Sequence, residues 1–232
     1  MRTLIIIPAF NEVRAIGRVV ADVRRSCDAD ILVIDDGSTD TTGDEAAAAG
    51  ARVLRHPCNL GIGAAVQTGY IYALRHDYDF VVRQDGDGQH DPSYIPSFVQ
   101  ILADGEADII VGSRFLAREG YQSTLVRRLG IFILSIISAL VGTRTTDPTS
   151  GYWGLNRRAL SALAPSHPDD YPETEALLIA AAAGCRIHEV PTVMRERQAG
   201  TSSIGALYSG FYMAKVILAL ILVKRRASHD DS

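Results

Sequence analysis

The sequence predicts an α/β domain with an open, mostly parallel β-sheet flanked by helices. From residue 3 to residue 111, short apolar runs alternate with helical patterns, and polar clusters follow several of the apolar runs. This alternation indicates parallel pairing, because each helix carries the chain back to the edge where the next strand begins. Hydrophobic residues make up 47% and charged residues 22% of the 232 residues, a balance that can fill a sizeable core.

The predicted strands are short apolar runs, as expected for parallel strands buried on both faces. They lie at Thr3–Ile7, Ile31–Ile34, Arg52–Leu54, Phe80–Val82 and Asp108–Val111. Helices are predicted between them, beginning after Asn11-Glu12, over Asp44–Ala49 with Gly50 closing it, over Gly63–Leu74, and around Ile95–Leu102. After residue 120 the pattern changes, with a helix near Thr174–Ala183 and a strand at Ile187–Val193, where Pro191 predicts an edge position.

Two later segments are more apolar than a soluble domain needs. Residues 129–141 follow Arg127 and Arg128, and residues 204–223 are apolar apart from Ser209 and Lys215 and precede a basic triplet. A bilayer-spanning helix needs about 20 apolar residues. Lys215 favours a helix lying in the membrane interface or against a partner. We expect a catalytic domain over residues 1–203, an apolar helix over 204–226 and a disordered tail over 227–232.

Charge and cysteine content narrow the function classes. A formal net charge of -4 argues against nucleic acid as the main partner. The three cysteines lie far apart without CxxC spacing, as is typical of a reducing compartment. No secretory signal is visible, so a cytoplasmic location is expected.

The run RQDGDGQHDP places acidic residues directly after the predicted fourth strand. Asp85 and Asp87 alternate with glycines, whose backbone freedom lets both carboxylates converge. Oxygen ligands suit Mg²⁺ or Mn²⁺, and the Gln89 amide offers a third. A solvated turn is the alternative, and Asp91-Pro92 is typical of a helix start with Asp91 as its cap.

Similar polar clusters follow the other predicted strands. PAFNE follows the first, DDGSTD the second and GSR the fifth. In such sheets, ligands bind beyond the carboxyl ends of the strands, so these clusters predict one site. No P-loop motif is present, and GIGAAV lacks the third glycine of a dinucleotide loop, so the site is not expected to bind NAD.

PAFNE, IDDGSTD, NLGIGAAVQTG, DGDGQHDP, GSR and DPTSG occur together in an order that resembles glycosyltransferase family 2. Within it, the chain is most similar to dolichol-phosphate mannose synthases and bacterial polyprenyl-phosphate glycosyltransferases. The resemblance runs from residue 4 to about residue 203. It implies a GT-A fold, a nucleoside-diphosphate-sugar donor, a divalent metal and inversion at the sugar.

The resemblance also implies roles for the donor-side residues. It assigns the nucleotide pocket to Pro8, Phe10, Glu12, Ile34, Asp36 and Gly86, with Asp36 contacting base or ribose. The metal and diphosphate fall to Asp85, Asp87 and Gln89, and positive groups near the phosphates to Arg114 and Arg197. Ser203 stands where the mannose synthases carry lysine, so mannose specificity cannot be transferred.

On the acceptor side, the resemblance assigns Asp147, Ser150 and Gly151 to a loop and Glu175 to the following helix. Arg127 or Arg128 matches the site that receives a lipid phosphate. A lipid phosphate is already anionic and needs positioning rather than a strong base. A hydroxyl acceptor would need a carboxylate base, for which Asp147 or Glu175 are the candidates.

These observations predict metal-dependent sugar transfer to a polyprenyl phosphate at the cytoplasmic face of the plasma membrane. Transfer to a glycan or small-molecule hydroxyl is the alternative, and a nucleotidyltransferase or a non-catalytic scaffold are rivals of other classes. Membrane contact and a homo-oligomer or a small membrane partner protein are further expectations.

Several residues keep two interpretations. His90 is expected to be structural or solvent-facing rather than a metal ligand, and Tyr152 and Trp153 either stack on a sugar or pack in the core. Glu173 is set aside because residues two apart on a helix face different directions. Arg83 stands where relatives place an apolar residue.

Overall fold

The computed structural model describes residues 1–116, 145–168 and 172–195. Within these ranges, one seven-stranded sheet has the order β3-β2-β1-β4-β6-β5-β7. Its strands are β1 (Thr3–Ala9), β2 (Asp30–Asp35), β3 (Arg52–Arg55), β4 (Phe80–Arg83), β5 (Ile109–Ser113), β6 (Trp153–Asn156) and β7 (Ile187–Pro191). All neighbours pair in parallel except β6, which runs antiparallel to both β4 and β5.

Helices cover both faces of this sheet. They are α1 (Ile16–Ser26), α2 (Thr42–Ala48), α3 (Ile62–Arg75), α4 (Ile95–Ala103), α5 (Arg157–Leu163) and α6 (Pro172–Ala182), with 3-10 turns at Pro92–Tyr94 and Ala164–Ser166. Buried residues of α3, α5 and α6 pack on one face, and those of α1, α2 and α4 pack on the other. The result is a three-layer α/β/α arrangement.

Strand β1 shows why the core has two halves. Leu4 and Ile6 belong to the cluster on one face, whereas Ile5 and Ile7 belong to the other. Successive side chains of a strand point to opposite faces, so a central strand must be apolar throughout. Each of these side chains is almost fully buried, which contributes about 1.5–3 kcal/mol apiece.

The structure confirms the predicted alternation, and among the described strands β7 lies at the edge of the sheet beside β5. It also confirms Asp91 as a cap, since its Oδ1 accepts a hydrogen bond from the Ser93 amide at 3.0 Å. Gly50 ends α2 with φ +92°, a conformation that favours glycine.

Strand β6 and helix α5 were missed, and some boundaries were wrong. The chain makes a turn after Asn11-Glu12 before α1 begins at Ile16, and α2 begins at Thr42, earlier than predicted. Strand β7 ends at Pro191 rather than Val193. The short sequence Trp153–Asn156, with its glycine, carries no clear strand pattern.

Among the described helices, none is both long and apolar enough to cross a membrane. The apolar segments 129–141 and 204–226 and the tail 227–232, all singled out from the sequence, lie outside the described residues.

Candidate functional site

The polar loops predicted to meet do so at one edge of the sheet. Strands β1, β2, β4 and β5 all present their carboxyl ends there, because β6 reverses direction between β4 and β5. The same reversal brings the 145–152 loop, which precedes β6, to this edge. In the register, Trp153 is opposite both Arg83 and Val111.

The loops after β1 and β2 are tied together by hydrogen bonds. The Asn11 amide donates to Ser38 Oγ at 3.0 Å, and Asn11 Oδ1 accepts from the Thr39 amide at 2.9 Å. Asn11 has φ +56°, which asparagine tolerates better than most residues. The Glu12 amide donates to Thr42 Oγ1 at 2.8 Å. The PAFNE loop is therefore held in one shape at the edge of the sheet.

The predicted nucleotide-pocket residues are exposed to different degrees. Phe10 is 42% exposed, whereas Pro8 is buried and Glu12 is intermediate. Ile34 is fully buried within the core. Its side chain packs in the core, so only its backbone is placed to contact a ligand, and its assignment to the pocket stays a prediction.

Asp36 is engaged by the protein itself. Its carboxylate accepts hydrogen bonds from the Leu60 and Gly61 amides at 3.0 and 2.8 Å. His56 Nδ1 lies 2.7 Å from the same group. In the structure, Asp36 therefore holds the 56–61 loop in place. The contact of Asp36 with base or ribose stays a prediction.

The acidic loop folds as a tight turn directly after β4. Asp87 is buried, and its Oδ1 accepts from the Gln89 amide at 3.0 Å. Gly88 has φ +78°, and a Cβ on Gly86 would lie 3.2 Å from the Pro8 carbonyl oxygen. The glycines therefore let the loop approach β1 closely. Asp85 and Asp87 are held at the edge, as the sequence predicted.

The oxygen atoms of this loop fit a divalent cation. Asp85 Oδ1 is buried and has no hydrogen-bond partner, and a Cβ on Gly151 would fill the space 3.1 Å from Asp85 Oδ2. Within the described ranges, no group of three or more His, Cys, Asp or Glu side chains is placed to hold a metal. A cation held by Asp85, Asp87 and Gln89 would therefore take further ligands from water or substrate, as Mg²⁺ commonly does.

His90 is buried rather than solvent-facing. It stacks on Tyr152 with the ring centroids 4.7 Å apart, and its Nδ1 accepts from the Asp85 amide at 3.1 Å. Burial lowers the pKa of His90, although the Asp85 and Asp87 charges act in the opposite direction. These contacts indicate a side chain that supports the acidic loop.

Arg114 and Asp147 form a two-pronged ion pair. Arg114 Nε and Nη2 each donate to a different oxygen of Asp147 at 2.6 Å, and Nη2 also donates to Thr149 Oγ1 at 2.8 Å. The Asp147 side chain is 0% exposed and that of Arg114 is 14% exposed. The family resemblance places these residues separately, on the donor side and the acceptor side, whereas the structure joins them in one ion pair.

Glu189 fixes the loop that carries Asp147. Its carboxylate accepts hydrogen bonds from the Thr146 and Asp147 amides at 2.8 and 3.1 Å, and from Thr145 Oγ1. Ser150 Oγ donates to the Gly112 carbonyl at 2.6 Å. The predicted acceptor-side loop is thus attached to β5 and β7. Sequence reasoning missed Glu189, whose partners lie more than forty positions away.

Tyr152 and Trp153 are core residues. Each is 1% exposed, the Trp153 indole donates to the Ser150 carbonyl at 2.7 Å, and the Tyr152 hydroxyl donates to the Asp91 carbonyl at 2.9 Å. The packing interpretation therefore holds for both, and neither ring is free to stack on a sugar.

Helix α6 brings Glu173 into an ion pair at the site. Arg83 Nη2 donates to Glu173 Oε1 at 2.6 Å. Glu173, which was set aside as a catalytic residue, therefore pairs with a buried arginine. Glu175 is partly buried, and its catalytic role stays a prediction. Arg127, Arg128 and Arg197 lie outside the described residues.

A cavity of about 590 Å³ lies at the opposite edge of the sheet, beside the first residues of β1 and β2. Its arginines already have partners. Arg2 lies 3.5 Å from Asp30, Arg24 donates to the Gly50 carbonyl, and Arg52 donates to the Tyr72 hydroxyl. The acidic loop and the Arg114–Asp147 pair lie at the other edge of the sheet, so this cavity is not the candidate site.

His167 predicts a pH-dependent stability. Burial, followed by the charge of Arg83, lowers the pKa of His167 from 6.5 to about 4. As the pH falls, the His167 imidazole is protonated near pH 6.5 in the unfolded chain but only near pH 4 in the folded chain. The contribution of His167 to the free energy of unfolding is therefore complete above pH 6.5 and is lost as the pH falls towards 4. The shift corresponds to roughly 3 kcal/mol. His167→Asn is expected to lose this slope in urea unfolding measured across that window.

The exposed His76 provides the control for this measurement. His76→Asn is expected to keep the slope of the parent, because its ring is solvent-exposed. A His167→Asn profile that matches the parent between these two pH limits would show that another group carries the dependence.

Comparison with known proteins identifies the family. The model of "Glycosyl transferase family 2" matches residues 4–164, well over half of the chain. The chain belongs to glycosyl transferase family 2. It is accordingly a glycosyltransferase, as the sequence motifs indicated, and the family favours glycosyl transfer over nucleotidyl transfer.

Curated relatives in this family cover almost the whole chain. The polyprenol monophosphomannose synthase of Mycolicibacterium smegmatis is 32% identical over 215 residues, 88% of this chain and 81% of the relative. The dolichyl-phosphate hexose transferase of Haloferax volcanii is 31% identical over 228 residues, 95% of this chain and 94% of the relative.

A solved structure shows the same GT-A-like fold. The glucosyl-3-phosphoglycerate synthase of Mycobacterium tuberculosis, in complex with Mn²⁺, uridine diphosphate and glucosyl-3-phosphoglycerate, matches with a TM-score of 0.71. It is 23% identical and covers 96% of this chain and 79% of that chain. This likeness confirms the predicted fold class for this family 2 member, with its mostly parallel sheet flanked by helices.

Proposed function

We propose that this family 2 glycosyltransferase moves a sugar from a nucleoside-diphosphate sugar to a polyprenyl phosphate, with a divalent metal, at the cytoplasmic face of the membrane. The observation that carries the proposal is the placement of Asp85 and Asp87 on one tight turn at the carboxyl edge of the sheet, with the Asp85 carboxylate facing Gly151. Relatives named for polyprenyl- and dolichyl-phosphate substrates support the acceptor class.

The acidic loop supplies the donor side. Asp85, Asp87 and Gln89 would hold Mg²⁺ or Mn²⁺, which when bound offsets the negative charge on the diphosphate leaving group. The Mn²⁺ and uridine diphosphate in the mycobacterial structure are consistent with such a site. The buried Asp87 side chain and its bond to the Gln89 amide keep this loop in one shape before the donor arrives. Preplaced charges lower the barrier without reorganisation during the reaction.

Arg114 presents a fixed positive charge at the same edge. Asp147 and Thr149 hold Nε and Nη2, so the guanidinium plane cannot rotate freely. A cation fixed in this way stabilises charge that develops in the transition state more than charge already present in the substrate. We assign Arg114 to the departing diphosphate and Asp147 to orienting Arg114.

The burial of Asp147 argues against its use as the base that a hydroxyl acceptor would need, whereas Glu175 stays a candidate for that role. A hydroxyl acceptor needs a carboxylate that can take its proton, but Asp147 is fully buried with both oxygens bonded to Arg114. A phosphate monoester oxygen already carries its negative charge and needs only to be aligned with the sugar carbon.

Membrane contact is the remaining part of the proposal. The apolar segments 129–141 and 204–223 and the adjoining basic residues support it from the sequence. The relatives named for lipid-phosphate substrates point the same way. Self-association, or pairing with a small membrane protein, stays a prediction.

A product assay tests this function. The full chain is incubated with Mn²⁺ or Mg²⁺, labelled UDP-, GDP- and dTDP-sugars and a short-chain polyprenyl phosphate in detergent. We expect one donor to give nucleoside diphosphate and an equal amount of organic-soluble labelled sugar, both abolished by EDTA. The matching polyprenol, which lacks the phosphate, is the control and is expected to give no product.

Other outcomes would contradict specific parts of the proposal. Transfer to the polyprenol or to a soluble glycan, with none to the lipid phosphate, would establish a hydroxyl acceptor. Release of pyrophosphate would indicate nucleotidyl transfer. Activity unchanged by EDTA would exclude the metal dependence.

A further inference from the structure

Arg83 is an unusual residue in the middle of the sheet. It is the last residue of β4, immediately before the acidic loop, and is 1% exposed. An ionised side chain so deeply buried is unfavourable unless other charges and hydrogen bonds compensate for it. The compensating groups therefore indicate what the residue does.

Two carboxylates face the guanidinium from different elements. Nη2 donates to Glu173 Oε1 of α6 at 2.6 Å and lies 4.0 Å from Asp85 Oδ1. Because one nitrogen is placed between both groups, Arg83 connects helix α6 with the carboxylate expected to hold the metal. Arg83 Nε is buried and has no hydrogen-bond partner among the described residues.

Few other groups in the described part of the chain are placed to orient Asp85. Asp85 Oδ1 has no hydrogen-bond partner, and His90 Nε2 lies 3.7 Å from Oδ2, beyond hydrogen-bond distance. Gly151 lies next to both side chains, since a Cβ there would lie 3.1 Å from Asp85 Oδ2 and 3.3 Å from Arg83 Nη2. Among the described residues, Arg83 is thus the nearest cation on the Oδ1 side of this carboxylate.

We propose that Arg83 is a positioning residue, which Glu173 fixes in place so that it holds Asp85 in the orientation that binds the metal–diphosphate group. The inference rests on the proposed function, because it assumes that Asp85 meets a donor-bound cation. Groups that orient a metal ligand typically change metal affinity or activity by 10–100-fold when they are removed. Removing Arg83 is expected to weaken metal binding more than it weakens the stability of the fold.

The test removes both charges of the ion pair at once. The double variant Arg83→Met, Glu173→Gln removes both charges of the pair and keeps its net charge, and the Asp85 side chain is 31% exposed to solvent, so the fold is expected to persist. Mn²⁺ affinity in the presence of the preferred nucleoside diphosphate, measured by water-proton relaxation, is expected to fall by at least tenfold. We also expect kcat to fall, because the double variant would hold the diphosphate less well in the transition state than the parent does.

Two further variants make the result specific. Arg83→Lys keeps the charge but lacks the planar fork, and is expected to fold and still lose several-fold in Mn²⁺ affinity. The control Arg157→Met, Asp77→Asn removes an exposed ion pair of 3.0 Å elsewhere and is expected to change neither affinity nor kcat. Circular dichroism and thermal unfolding establish that each variant is folded.

The outcomes separate the two proposals. A parent that binds Mn²⁺ with a nucleoside diphosphate, together with folded Arg83 variants that bind it equally well, would overturn the positioning role and leave the proposed function standing. A parent that binds no Mn²⁺ with any nucleoside diphosphate would overturn both.

Discussion

Asp87→Asn is expected to reduce sugar transfer by on the order of 10²–10³-fold while the chain stays folded. The change removes one negative charge from the acidic loop but preserves the size of a buried side chain whose Oδ1 accepts a hydrogen bond from the Gln89 amide. The asparagine amide oxygen can keep that bond, whereas it binds a divalent cation more weakly than a carboxylate. Initial rates at saturating donor and acceptor measure the loss.

Asp91→Asn is the matched control on the same loop. Asp91 caps the Pro92–Tyr94 turn through the Ser93 amide, and asparagine caps helices equally well. The variant loses only a partly exposed ion pair with Arg195, so its rate is expected to stay within a few-fold of the parent. Equal losses in Asp87→Asn and Asp91→Asn would mean that loop folding, not metal binding, limits activity.

Asp147→Asn is expected to lower both stability and activity. Removing one partner of a buried ion pair costs about 3–5 kcal/mol, and the lower end applies because the Arg114 side chain is 14% exposed. The guanidinium then loses its two-pronged partner, so the positive charge is no longer fixed at the edge of the sheet. Urea unfolding at pH 7 measures the first effect, and kcat/KM measures the second.

A paired substitution separates these effects. Arg114→Met, Asp147→Leu removes both charges and is expected to recover most of the stability, because apolar replacements of a buried pair are often neutral or stabilising. Activity is expected to stay low in this variant. Recovery of both stability and activity would show that the pair is only structural.

Much of the fold was predictable because the strands are central and parallel. A run such as Leu4–Ile7 must be apolar on both faces, and the alternation with helices then fixes the sheet type and the edge where the loops meet. Strand β6 was not predictable in this way. Its four residues include Gly154 and Asn156, and it is antiparallel, so neither periodicity nor alternation indicates it.

The acidic loop was predictable from its glycines and carboxylates, but their partners were not. The Arg114–Asp147 and Arg83–Glu173 pairs join residues 33 and 90 positions apart. A sequence shows such residues only as isolated charges, and their pairing depends on how α6 and the 145–152 loop pack. The contacts by which Asp36 holds the 56–61 loop were unpredictable for the same reason, and its contact with the nucleotide stays a prediction.

The central claim is that Asp85 and Asp87 hold a metal ion together with the donor diphosphate. Mn²⁺ binding by water-proton relaxation, with and without UDP, GDP or dTDP, tests it most directly in the parent, Asp85→Asn and Asp87→Asn. We predict weak binding to the parent alone, since no described cluster supplies three acidic or imidazole ligands, and at least tenfold tighter binding with the preferred nucleotide. That tightening should be lost in both variants. Equal binding by the parent and the two variants would contradict the claim.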